Sequence, residues 1–319
     1  MNRVLGLCLY GVGITLLHLA GEVIAGEKGP LEIALWEGTP PGSERFTGQA
    51  KYDNRNSAPP DRWLTGVGKP VLTVYPPEDE SSRAAVVVFP GGGYRGQAID
   101  KEGHDIARWL ARRGVLAVVV PYRCGGGVHQ HPVPLSDAQR AVQLVRSRSD
   151  EWDIDPDKIG VMGFSAGGHL AATAATQWLE GETTSDEWLR HLSSRPDFAV
   201  LVYPVISMRE GVTHGGSRLN LLGDSPSEEL VANMSADERI TADTPPTLII
   251  HSVDDKVVPV ENAQRFYDSC RRHGVPCEMH LYETGGHGYG MKIKEGTVAN
   301  WPDVLEDWMV ARGLAARLP

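Results

Sequence analysis

A serine between glycines, a pair of aspartates and a histidine in a glycine-rich stretch are the residues of this chain that could do chemistry together. Ser165 stands in Gly163-Phe164-Ser165-Ala166-Gly167, Asp254 and Asp255 precede Lys256-Val257-Val258-Pro259, and His287 lies in Thr284-Gly285-Gly286-His287-Gly288. A hydroxyl is a weak nucleophile until a base takes its proton and an acid holds that base in one tautomer. Combined, these groups would run acyl transfer: attack on a carbonyl, a tetrahedral oxyanion and a covalent acyl-serine. The oxyanion needs donors. The run Pro90-Gly91-Gly92-Gly93-Tyr94 offers the amides of Gly92 and Gly93, and Ala166, directly after the serine, offers another.

Each group is written next to an element that would position it. Lys158-Ile159-Gly160-Val161-Met162 reads as a strand before Ser165, and Gly168-His169-Leu170-Ala171-Ala172 continues a helix after it. A serine ahead of a helix often only caps it; a strand before it and a glycine two residues to either side point instead to a nucleophile elbow. The glycine run follows the buried strand 84–89, the aspartates follow a strand at 247–251, and His287 follows one at 277–282. Nucleophile, acid and base therefore come in the order Ser, Asp, His, as in α/β-hydrolases. Of the two acids Asp255 is favoured, because Asp255-Lys256-Val257-Val258-Pro259 matches an Asp-x-x-Val-Pro pattern; Asp254 would cap the loop or brace its neighbour.

The whole chain fits one large α/β domain. Strands are read near 71–75, 84–89, 115–120, 158–162, 198–203, 247–251 and 277–282, and helices near 102–113, 135–149, 166–178, 260–272 and 301–312. After a first hairpin-like pair the alternation predicts a mostly parallel sheet, covered by helices on both faces. Trp109, Trp301 and Trp308 fall at helical spacing with aliphatic neighbours and are expected in the core. Residues 26–66, rich in Pro, Gly and Arg, are expected to wrap the 67–319 catalytic domain as an irregular N-terminal arm. The 319 residues carry a net charge of −10 and no basic stripe, which argues against a nucleic-acid partner.

These motifs resemble those of the α/β-hydrolases, and in particular the secreted carbohydrate-esterase branch described as acetylxylan-esterase-like or "esterase/xylanase" proteins. The flanking stretches that narrow the likeness are Leu35-Trp36-Glu37-Gly38-Thr39-Pro40-Pro41-Gly42, Tyr122-Arg123-Cys124-Gly125-Gly126-Gly127, Pro134-Leu135-Ser136-Asp137-Ala138-Gln139-Arg140-Ala141 and Gly215-Gly216-Ser217-Arg218. Pro90 departs from the His-Gly-Gly-Gly run of many relatives, yet the glycine amides remain. The resemblance implies a serine esterase that removes small acyl groups, acetyl foremost, from acylated carbohydrate, with no metal or organic cofactor. Feruloyl or aryl esterase activity, a prolyl-oligopeptidase-like peptidase and a degenerate binding module are the alternatives.

The stretch 204–245 should overhang the catalytic face, and its polar character suits a hydrated sugar. His214, Arg218 and Asn220 within it, and Tyr94 beside the glycine run, are the candidate substrate contacts. At the start of the chain Arg3, the apolar run to Ala20 and Val23-Ile24-Ala25 read as a signal peptide over 1–25, cleaved before Gly26. The mature protein would then be periplasmic or secreted, with no membrane attachment. Cys270 and Cys277 could form a disulfide there or stay as two thiols. Oligomeric state is not legible.

Overall fold

The computed structural model describes residues 30–57, 60–78, 80–125, 127–182 and 187–317. The expected signal peptide lies outside them. The strands are β1 (Leu31–Ala34), β2 (Lys51–Ser57), β3 (Pro60–Thr65), β4 (Val71–Tyr75), β5 (Ala85–Phe89), β6 (Gln97–Ala98), β7 (Leu116–Val119), β8 (Ile159–Phe164), β9 (Phe198–Val202), β10 (Thr247–Ser252) and β11 (Cys277–Tyr282). The helices are α1 (Asp105–Ala111), entered through a π-helical turn at Asp100–His104, α2 (Val133–Ser147), α3 (Ala166–Thr176), α4 (Gly215–Leu222), α5 (Glu228–Asn233), α6 (Glu261–Arg272) and α7 (Trp301–Ala311).

Continuous apolar runs form the centre of the sheet because both of its faces are covered. Every residue of β5, β7, β8, β9 and β10 is buried. The eight-stranded order is β1-β4-β7-β5-β8-β9-β10-β11, with β1, β4 and β7 antiparallel in sequence and all later pairs parallel. One face packs on α1 and α7, where Ile106, Trp109, Leu110, Trp301 and Trp308 are buried, as their spacing predicts. The other face packs on α2, α3 and α6 through Leu135, Val142, Leu170 and Phe266. Among the described residues no helix is long and apolar enough to cross a membrane.

Two expectations are corrected. Strands β4 and β5 do not form a hairpin: β7 lies between them. The wholly apolar, fully buried β5 takes a central place, where strands on both sides and helices on both faces cover it. The N-terminal arm is also more regular than its composition suggests. β1 pairs with β4 at the sheet edge, and β2, β3 and β6 build a separate three-stranded antiparallel sheet.

The arm is tied down by a buried charge cluster. Arg123 and Asp137 are fully buried and meet through Nη2–Oδ1 at 2.7 Å and Nε–Oδ2 at 2.9 Å. Trp36 Nε1 donates to Asp137 Oδ1 at 2.7 Å, and Arg123 Nη1 donates to the Pro41 carbonyl at 2.6 Å. These are residues of the flanking motifs, which therefore fasten the arm to the domain. Cys270 and Cys277 are free thiols in contact, where a mutual hydrogen bond and burial push the Cys277 thiol up.

Candidate active site

Ser165 occupies the turn between β8 and α3 with φ 55° and ψ −119°, a strained conformation for a non-glycine residue. The glycines around it make the turn possible. A Cβ at Gly163 would collide with the Gly167 carbonyl, and one at Gly167 with the carbonyl of Phe89. The turn is held by Ser165 N donating to Val202 O at 3.1 Å and by Val205 N donating to Ser165 O at 3.0 Å. Its side chain reaches the floor of a cleft of about 680 Å³ at the C-terminal edge of the sheet.

The structure brings the three distant stretches together. Ser165 Oγ lies 2.9 Å from His287 Nε2, and His287 Nδ1 lies 2.6 Å from Asp255 Oδ2. With Nδ1 donating to the carboxylate, Nε2 is left to accept the serine proton. Burial alone would raise the Asp255 carboxyl, but bonds from His251 and His287 and the amide of Val258 hold it well below the usual carboxylate range. Its other oxygen accepts from Val257 N at 2.8 Å and Val258 N at 2.9 Å. The Val-Pro segment after the acid is thus its hydrogen-bonding frame. Asp254 turns away and accepts from Gly286 N at 2.8 Å, which braces the histidine loop.

Donors for an oxyanion stand opposite. Gly92 and Gly93 line the cleft with φ of 151° and 62°, conformations that favour glycine. Among the described residues the amides of Gly92, Gly93 and Ala166 make no hydrogen bond, so all three are available to a developing negative charge.

One buried group was not legible in the sequence. Glu102, in the π-helical turn before α1, is 3% exposed. Its Oε2 accepts from Gly91 N at 2.9 Å and its Oε1 accepts from the Tyr203 hydroxyl at 3.0 Å. That hydroxyl accepts in turn from Gly290 N at 2.9 Å, while the Tyr203 ring lies 4.9 Å from the His287 ring. A lone glutamate at the start of a helix gives no sign of this.

The expected substrate contacts divide. His214, at the N-terminus of α4, and Asn220 line the cleft, but Asn220 Nδ2 donates to Gly93 O at 2.8 Å and so secures the glycine run. Burial and the nearby His287 lower the pKa of His214. Arg218 does not face the cleft. Helical periodicity puts residues 216 and 220 on one face, and Arg218 donates from Nε to the Met208 carbonyl at 3.1 Å instead. Tyr94 is no substrate contact either. It is 1% exposed and its hydroxyl meets His169 Nδ1 at 2.8 Å, because the chain at φ 55° turns the ring under the glycine run. The missed wall of the cleft is the β2–β3 hairpin, which contributes Asp53, Arg55, Trp63 and Thr65.

Comparison with known proteins finds relatives among esterases. Residues 72–269 match the BD-FAE family. The chain is 36% identical over 231 residues to the acetylxylan esterase of Xylanibacter ruminicola, covering 71% of this chain and 45% of that protein. It is 34% identical over 221 residues to endo-1,4-beta-xylanase B of Butyrivibrio fibrisolvens, covering 69% of this chain and 34% of that one. The chain thus spans less than half the length of these curated relatives. Among solved structures, the acetyl ester-xyloside bifunctional hydrolase from Caldicellulosiruptor lactoaceticus superposes with a TM-score of 0.77 at 37% identity, covering 90% of this chain and 97% of that one. Propionate-bound Est2 esterase from Thermogutta terrifontis gives 0.64 at 26% identity, covering 86% and 98%.

Proposed function

The chain belongs to the BD-FAE family, and from that premise we propose that it is a serine esterase that removes acetyl groups from xylan-type carbohydrate. The observation that carries the reading is the unbroken relay from Ser165 Oγ through His287 to Asp255, at 2.9 Å and 2.6 Å, in front of three free amides. A histidine so placed takes the serine proton as the hydroxyl attacks the ester carbonyl. The amides of Ala166 and of Gly92 or Gly93 receive the oxyanion. Asp255 holds the imidazole tautomer and stabilises its cationic form. Collapse expels the sugar alcohol, which takes its proton from His287, and water then hydrolyses the acyl-serine by the same proton path in reverse.

The substrate class is supported by the relatives: an acetylxylan esterase and a xylanase among the curated proteins and an acetyl ester-xyloside hydrolase among the structures. The cleft supports it too, since its walls carry Asp53, Arg55, Arg95 and Asn220 rather than an apolar lid. Export by a leader at residues 1–25 is part of the proposal, supported by the Arg3 start, the apolar run and Val23-Ile24-Ala25. Incubation with acetylated xylan and with methyl ferulate in parallel tests the reading. It expects acetate release at a kcat/KM well above that for ferulate; release of ferulate alone would replace it with an aryl-esterase function.

A further inference from the structure

Three cationic side chains, Arg55, Arg95 and Lys101, face the same cleft as Ser165. Lys101 is already engaged, its Nζ donating to the Gly288 carbonyl. Arg55 and Arg95 are exposed, and among the described residues neither guanidinium has a carboxylate partner. Arg55 is nonetheless held in place. Its Cζ lies 3.8 Å over the centre of the Trp63 ring, a stacking that fixes the plane of the fork. The edge of that indole abuts the oxyanion loop: a Cβ at Gly92 or at Gly96 would come within 2.7 Å of it. Glycine loop, indole edge and guanidinium are therefore successive parts of one wall.

The charge on this wall is local. The chain as a whole carries −10, so two unpaired guanidiniums beside the nucleophile are not the overflow of a basic surface. Asp53 of β2 lines the same cleft as Arg55. Its carboxylate is bonded to Lys51 at 2.9 Å and, among the described residues, forms no ion pair with Arg55. A planar guanidinium fork matches a carboxylate through two parallel hydrogen bonds.

We propose that this wall is a subsite for a carboxylate borne by the sugar, namely a uronic acid branch close to the acylated residue, with Arg55 and Arg95 as its ligands. The proposal rests on the reading of the protein as an esterase of acylated carbohydrate. The carboxylate belongs to the sugar side because the guanidinium is stacked on the face of the Trp63 indole, whereas the acyl oxyanion is received by the backbone amides of the glycine run. An acetyl group held at those amides carries no charge for Arg55 to answer, whereas a neighbouring sugar can carry a carboxylate.

The test uses acetylated xylo-oligosaccharides bearing a glucuronic acid branch, and the same oligosaccharides after enzymatic removal of that branch. The ratio of kcat/KM for the acidic and neutral sets is measured within each protein, for the wild type, Arg55→Gln, Arg95→Gln and the double variant. The wild-type ratio is expected at about five to ten in favour of the acidic set, falling as salt screens the exposed charges and approaching one in the double variant. A wild-type ratio of one, or a preference that survives in the double variant, overturns the subsite. If neither set is hydrolysed while 4-nitrophenyl acetate is, the carbohydrate reading fails. Competition against 4-nitrophenyl acetate by the deacetylated acidic and neutral oligosaccharides then decides the subsite: stronger inhibition by the acidic form in the wild type alone upholds it, and equal inhibition overturns it.

Discussion

Glu102 holds Gly91 from behind: its carboxylate accepts the Gly91 amide at 2.9 Å, one residue before the glycines that face Ser165. The other carboxylate oxygen holds the Tyr203 hydroxyl, and Tyr203 backs the ring of His287. One buried side chain thus links the loop that presents the oxyanion donors to the support of the base. Gly91 must be glycine for this contact, since a Cβ there would lie 2.6 Å from Glu102 Oε2.

Replacement of Glu102 by Gln should therefore act on the chemical step. An amide can accept from only one of the two donors and turns its own NH2 towards the other. The expected result is a loss of about tenfold in kcat with KM nearly unchanged, the pattern of an interaction felt mainly in the transition state. Steady-state kinetics on 4-nitrophenyl acetate, with circular dichroism to confirm the fold, check it. A rise in KM at constant kcat would instead make Glu102 part of substrate binding.

The adjacent acids should differ sharply. Asp255 bonds His287, whereas Asp254 bonds the backbone of the histidine loop at Gly286. Asp255→Asn is expected to lower kcat by about 10³ to 10⁴, because the amide stabilises the wrong imidazole tautomer. Asp254→Asn should cost less than about tenfold, the loss of a brace to Gly286. Equal losses would break the assignment.

Stability should fall on mild acidification. Burial lowers the pKa of His169 to about 4, with Tyr94 and the Met234 carbonyl on its two nitrogens. Burial likewise lowers His104 to about 4. Both groups must stay neutral in the native state, so the unfolded chain binds more protons below its ordinary histidine value of about 6.5. Their contribution is complete above that pH and is lost as the pH drops towards 4. His169→Gln should make the decline in unfolding free energy between these limits, measured by urea titration at each pH, shallower by up to about 1.4 kcal/mol per pH unit. An unchanged slope would mean that His169 binds its proton equally in the folded and the unfolded chain.

The anchor of the N-terminal arm should be costly to cut. Asp137→Ala leaves the buried Arg123 guanidinium without its carboxylate and frees Trp36 Nε1. The expected destabilisation is about 3–5 kcal/mol, measured by urea unfolding. A loss below about 1 kcal/mol would show that the arm is held elsewhere.

What the sequence disclosed, and what it hid, follows from where each signal lies. Ser165 stands out because strand, glycines and helix must all be present locally for the elbow to form. Asp255 stands out because the valines that follow it carry the amides that hold it. The β2–β3 hairpin is invisible because Lys51, Asp53 and Arg55 alternate with Tyr52 and Asn54, which supplies no apolar face to mark a strand. Glu102 is hidden for a different reason: the π-helical turn at Asp100–His104 rotates it inward, against the expectation for a glutamate at a helix start. Arg218 faces away from the cleft because α4 sets its direction, and Gly215-Gly216 at the start of that helix conceals it in the sequence.

Covalent capture at Ser165 tests the central claim most directly. Incubation with a 4-nitrophenyl alkylphosphonate, followed by intact-mass and peptide mass spectrometry, should show one adduct per chain on Ser165, with release of one equivalent of nitrophenol. Ser165→Ala should take up none while remaining folded. An adduct on another residue, or an unreactive wild type that still hydrolyses esters, would contradict the account.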